Sequence, residues 1–149
     1  MKNKFFLIVL TTLLIFHTFA NARQIQFNAS DISITENGNL IIAKKGEAIT
    51  GDESIKIIGK KFEYNKKLKI LKAIDSFTVF KKKKLEINSD KVEYNEISSI
   101  LTAQGNVKIY NVGNKNVIYS DKIILNLDQN TIESDSNTIV KDKFNNTFT

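Results

Sequence analysis

Few side chains in this sequence could carry chemistry, and their types exclude most of it. Its 149 residues hold one histidine, His17, no cysteine and no tryptophan. His17 sits in an N-terminal segment that reads as an export signal, so the mature chain is expected to have none. Thiolate–imidazole pairs, serine triads, histidine bases and zinc sites built on Cys or His all lose their parts. Asp121, Asp128, Asp135 and Asp142 recur every seven residues, without the dense D-x-D-x-D grouping of a calcium loop. A carboxylate pair for glycoside hydrolysis needs a cleft to hold it, and none can be read here. No cofactor, metal or enzymatic activity is expected.

Charge is the other chemical feature. Residues 56–84 carry 11 lysines against 2 acidic residues and end in Lys81-Lys82-Lys83-Lys84. Residues 23–55 and 85–149 sum to −2 and −3. A run of this kind reads as a solvated hairpin tip that blunts a sheet edge. The functional alternative makes Lys81, Lys82, Lys83 and Lys84 partners for anionic head groups, or for a membrane surface. Nucleic acid is not expected, because the aromatic residues are not interleaved with the lysines.

The N-terminus has the three parts of a secretory signal. Lys2 and Lys4 precede an apolar run from Phe5 to Phe16, and Ala20-Asn21-Ala22 supplies a small-residue cleavage site, with the cut after Ala22. The run falls short of the roughly 20 apolar residues of a membrane span; an uncleaved anchor is the alternative. With no cysteine at the cut, a lipoprotein anchor is excluded. Residues 1–22 are thus assigned to the signal and 23–149 to one domain. That domain has 127 residues and a net charge of +4, enough for a modest core.

What must position these charges is β structure. There is no proline, and Ile, Val, Phe, Tyr and Thr alternate with polar residues in short runs such as Ile32-Ser33-Ile34-Thr35, Phe77-Thr78-Val79-Phe80 and Val107-Lys108-Ile109-Tyr110. Turn residues punctuate them at Glu36-Asn37-Gly38-Asn39, Asn65-Lys66-Lys67, Asn95-Glu96, Asn111-Val112-Gly113-Asn114 and Asp128-Gln129-Asn130. No window supports an amphipathic helix. The runs also repeat. Ala29-Ser30-Asp31-Ile32, Gly59-Lys60-Lys61-Phe62, Ser89-Asp90-Lys91-Val92 and Ser120-Asp121-Lys122-Ile123 stand 30 to 31 residues apart, and Ala43, Ala73, Ala103 and Ser134 keep the same interval. Four units of two strands are expected, stacked so that they bury a core only together.

Within a unit the apolar face switches. Leu85, Ile87 and Ser89 share one parity, Val92 and Tyr94 the other, and Ile55, Ile57, Gly59 then Phe62, Tyr64 behave alike. Small residues at such a switch mark a bend or bulge. Strands of this kind are expected to pass between the two facing sheets of a sandwich.

The repeated lead-in Ser89-Asp90-Lys91-Val92-Glu93-Tyr94 and the step Leu101-Thr102-Ala103-Gln104-Gly105-Asn106-Val107 resemble the OstA/LptA-like domain of lipopolysaccharide transport proteins, over essentially the whole mature chain. Units two and four depart from the pattern, with Asp75-Ser76 and Asp135-Ser136 where a glycine is usual. The resemblance implies an all-β, open β-jellyroll of repeated bent hairpins. It also implies a non-enzymatic, periplasmic and outer-membrane-associated role: lipopolysaccharide acyl chains held in an apolar groove, and neighbouring domains of the same type joined by edge-strand pairing. Candidates for the groove are Phe62, Tyr64, Phe77, Val79, Val92, Tyr94, Val107, Ile109, Ile123 and Leu125.

The final stretch, from Phe144 to Thr149, reads as the start of a strand, which suits the N-terminal region of an outer-membrane translocon as well as a free-standing bridge. A structural β-solenoid or adhesin-type repeat without lipid is the alternative. Expression in a Gram-negative host should give an exported chain whose first residue, by N-terminal sequencing, is Arg23; an intact Met1 in the exported protein would exclude the cleaved signal.

Overall fold

The computed structural model describes residues 25–149; the expected signal and its cut at Ala22 lie outside them. Eight long or short strands alternate with tight turns before two more complete the chain. They are β1 (Gln26–Thr35), β2 (Leu40–Ile49), β3 (Ile55–Asn65), β4 (Ile70–Phe80), β5 (Leu85–Asn95), β6 (Ile100–Asn111), β7 (Val117–Asn126), β8 (Thr131–Glu133), β9 (Ile139–Lys141) and β10 (Thr147–Phe148). From β1 to β7 each strand pairs antiparallel with the next. β8 pairs with one end of β7 and β9 with the other, so the return strand of the fourth unit is split in two. The fold is all-β, a single open antiparallel sheet rather than the two separately bonded sheets expected of a sandwich.

One sheet builds both walls because its strands bend. In β3 and β5 the inward residues change parity at a doubly exposed pair, Lys60-Lys61 and Asp90-Lys91. Opposite them, β2, β4 and β6 carry a left-handed residue in mid-strand: Lys45 (φ 48°), Asp75 (φ 50°), and Gly105 with Asn106 (φ 75° and 49°). Each non-glycine residue held there costs about 1 kcal/mol, which the burial made possible by the bend must exceed. The corner is lined by small residues on the inner side, among them Ala43, Gly59, Ala73, Ser89, Ala103 and Ser120. They let the half-strands fold towards each other. The serines also satisfy the backbone where the bend interrupts the ladder: Ser89 Oγ donates to the Lys91 carbonyl and Ser120 Oγ to that of Lys122, each at 3.1 Å. This is the physical content of the repeated Ser-Asp-Lys lead-in.

The interior face is now fixed. Ile55, Ile57, Phe62 and Tyr64 on β3, Leu71, Ala73, Thr78 and Phe80 on β4, and Leu85, Ile87, Val92 and Tyr94 on β5 are all buried. Rings meet across the two half-sheets, Phe27 of β1 lying 5.9 Å from Phe62 and 6.0 Å from Tyr64 between centroids. Phe77 and Val79 are corrected by this placement. They register with Ile58 and Lys56 on the outer face, while Ser76, Thr78 and Phe80 point inward. Aligning Phe77-Thr78-Val79 with Val107-Lys108-Ile109 assumes a constant interval of 30. The register with both neighbours of β6 shifts around Gly105 and Asn106. That extra residue makes the interval 31 beyond the corner and restores a parity that β4 loses.

The turns stack as well as the strands. At one rim Lys66 N–H donates to the Asn39 carbonyl, Glu96 N–H to Lys69 and Leu127 N–H to Ser99; at the other, Lys81 N–H donates to Ser54 and Val112 N–H to Lys84, all at 2.8–3.0 Å. Successive units are thus bonded at the corner, along the strands and at both rims. Gly105 tests the corner. A Cβ there would strike the Asp90 carboxylate and would sit on a left-handed backbone. Gly105→Ala should lower stability in urea by about 1–2 kcal/mol, and Asp90→Ala in the same chain should recover part of it; an unchanged midpoint would mean that the bulge does not depend on glycine.

Candidate functional site: the inner face and its seam

The bend turns the inner face into a trough whose walls meet along a seam between the two rims. Eight of the ten groove candidates, Phe62, Tyr64, Val92, Tyr94, Val107, Ile109, Ile123 and Leu125, converge there, each at most 4% exposed. They fill the interior with one another. Phe77 and Val79 do not join them.

Of the polar groups that interrupt this interior, two are set apart by their surroundings. Tyr64 donates its hydroxyl to Glu96 Oε1 at 2.5 Å near one rim. Burial, and then the bond to that carboxylate, push the Tyr64 hydroxyl well above its usual range. Thr78 is the other, fully buried and with no hydrogen-bond partner for its Oγ1. An orphaned hydroxyl costs about 1–3 kcal/mol. Sequence reading missed it because the parity of β4 placed Thr78 outside.

The apolar inner face is not closed at its ends. Ile32 and Ile34 on the edge strand β1 register with the buried Ala43 and Ile41, so they belong to the inner face, yet they are 50% and 58% exposed. At the far end Ile132 registers with Leu125, and Phe148 with Val140; Phe148 is 57% exposed. The alternation of Ile32-Ser33-Ile34 signalled a strand, but only the register shows that it continues the interior.

The four lysines occupy the β4–β5 turn, as a hairpin tip. Lys81 pairs with Glu53 at 3.3 Å and Lys82 with Asp52 at 3.4 Å, both on the neighbouring β2–β3 turn. Burial raises the Asp52 carboxyl, but bonds from Ser54, Thr50 and Lys82 outweigh it and hold it well below the usual carboxylate range. Lys83 instead crosses the seam, donating to the Leu127 carbonyl at 2.9 Å and to Asn130 Oδ1 at 2.8 Å. The run is therefore divided: Lys81 and Lys82 face carboxylates, Lys83 is a strut, and Lys84 is exposed. No group of metal-ligating residues occurs among the described residues, and none of their helices is long and apolar enough to cross a membrane.

A trough made from one bent antiparallel sheet has a counterpart among solved structures. The chain shares its fold with LptH. That protein is the LptA-homologous periplasmic component of the lipopolysaccharide transport device of Pseudomonas aeruginosa; the match has a TM-score of 0.65 and 12% identity, and covers 75% of this chain and 82% of LptH. No protein-family profile matches the sequence, and no curated protein does. The all-β, LptA-like jellyroll is thus established at the level of fold, and the neighbour is a transport component rather than an enzyme.

Thr78 offers a direct check on the interior. Thr78→Val keeps the shape and removes the orphan, so it should raise stability in chemical denaturation by about 1 kcal/mol. A loss of stability would place the hydroxyl in a hydrogen bond.

Proposed function

We propose that this protein is a periplasmic carrier or bridge domain for lipopolysaccharide, holding acyl chains against its apolar inner face and passing them to neighbouring domains of the same fold. The observation that carries this reading is the inner face itself, apolar from Ile32 and Ile34 at one open end to Ile132 and Phe148 at the other. The fold shared with LptH supports it. A surface of this kind needs no catalytic group, since transferring hydrocarbon from water to an apolar wall contributes about 0.8 kcal/mol per methylene. The edge strands β1 and β10 leave backbone groups for pairing with an adjacent domain. Export behind a signal cut at Ala22 belongs to the same proposal.

One observation favours the structural-module alternative: the interior residues pack on each other with hardly any exposed surface. The carrier reading therefore requires the half-sheets to part when lipid enters. Photocrosslinking side chains at Tyr94 and Val107, with Phe77 as the outer-face control, separate the two. In cells, lipopolysaccharide should be captured at Tyr94 and Val107 and not at Phe77. Capture at none of the three, from a folded protein, would sink the carrier and leave the structural module.

A further inference from the structure

The lysine run contains one ammonium that is held across the seam by neutral acceptors. Lys81 and Lys82 face carboxylates, whereas Lys83 is held by a peptide carbonyl and a side-chain amide. Both of its direct acceptors are neutral, so no carboxylate is bonded to it. An anion that replaced them would exchange neutral hydrogen bonds for charge-assisted ones, which are shorter and stronger.

Lys83 stands between two clefts in the seam. The smaller, about 180 Å³, is lined partly by Asp52, Glu96 and Asp128, which repel an anion. The larger, about 380 Å³, carries no carboxylate among its described lining residues. Its polar groups are Lys82, Lys83, the amides Asn111, Asn126 and Asn130, and Thr131; its apolar groups are Leu85, Leu125, Leu127 and Ile132. That volume lies within the roughly 300–1,000 Å³ range of small-ligand sites. The apolar part leads inward: Leu125 is a core residue, and Ile132 is its partner on the exposed inner edge. Positive charge at the rim and hydrocarbon below match one kind of ligand.

We infer that this cleft is a binding site for an anionic amphiphile, whose carboxylate or phosphate takes Lys83 away from Leu127 and Asn130 while its hydrocarbon chain runs along Leu125 and Ile132. Because Lys83 is also the strut across the seam, occupancy and unlatching are the same event. The inference deepens the carrier reading and rests on it for the parting of the half-sheets, but it makes its own claim about charge.

The test uses cis-parinaric acid and its methyl ester, probes that differ only in the head group, titrated into the purified protein by fluorescence. The acid should bind about tenfold more tightly than the ester. Lys83→Gln should remove that preference, so that acid and ester bind equally. Asn130→Ala, which keeps the lysine and frees it of one partner, should tighten acid binding several-fold and widen the preference over the ester. It also serves if Lys83→Gln fails to fold. Equal binding of acid and ester, a preference that survives Lys83→Gln, or an Asn130→Ala protein indistinguishable from wild type would each overturn the site. Those outcomes leave the carrier reading to the crosslinks at Tyr94 and Val107. No binding of either probe together with no crosslinking would remove both.

Discussion

The rest of this structure depends on a bend that hydrogen bonding does not favour. A straight strand presents one parity of side chains to one side, so a flat sheet of this sequence would bury half of its apolar residues and expose the others. Left-handed residues at Lys45, Asp75 and Asn106 fold the sheet along one line, and the parity switch in β3 and β5 then brings both halves of each strand to the same interior. Ala43, Ala73 and Ala103 keep the inside of the fold line small, while the hydroxyls of Ser89 and Ser120 take up carbonyl groups the ladder leaves there. The fourth unit keeps the same function by other means. Its return strand breaks into β8 and β9, and Ser134 and Ser136 gather on Ser120, at 2.9 and 2.7 Å.

Polarity is arranged around the trough according to what each place must do. The rims carry ion pairs and stacked turns, which contribute little individually in water but keep successive units aligned. The interior holds Tyr64 with its hydroxyl directed to Glu96, and it carries Thr78 without such an outlet. At the seam the contact is neutral on one side and cationic on the other. A crossing of that type is weaker than a buried ion pair and more readily exchanged.

Turn positions, the 30-to-31-residue repeat and most of the interior were legible in the sequence, because alternation and small residues at corners follow from backbone geometry. Eight of ten interior assignments stand for that reason. The eight strands expected are ten, since the last return strand splits into β8 and β9 and β10 follows. Phe77 and Val79 were misplaced because beyond Asp75 the outer side of β4 is the more apolar one: Phe77 and Val79 there, Ser76, Thr78 and Phe80 on the inner side. Composition therefore pointed to the wrong side. The discriminating signal was present, since β6 has one more residue than β4 between its small step and its end, and such a bulge alters parity. What no periodicity could reveal is contact across the seam. Lys83 and Asn130 are 47 positions apart and meet only because the sheet folds on itself, so the lysines read as a uniform run until their partners were distinguished.

The order of strands has a consequence for assembly. From β1 to β7 every strand pairs with its sequence neighbours, and no pairing waits for a distant part of the chain. Such a topology keeps loop-closure entropy low and favours rapid folding compared with interleaved β-sandwiches. A polypeptide delivered N-terminus first can add one hairpin at a time to a finished edge, each new turn taking its rim bond from the last. The growing edge is then always the most recently made strand. Until the short β9 and β10 are laid down, that edge remains a template for whatever chain arrives next.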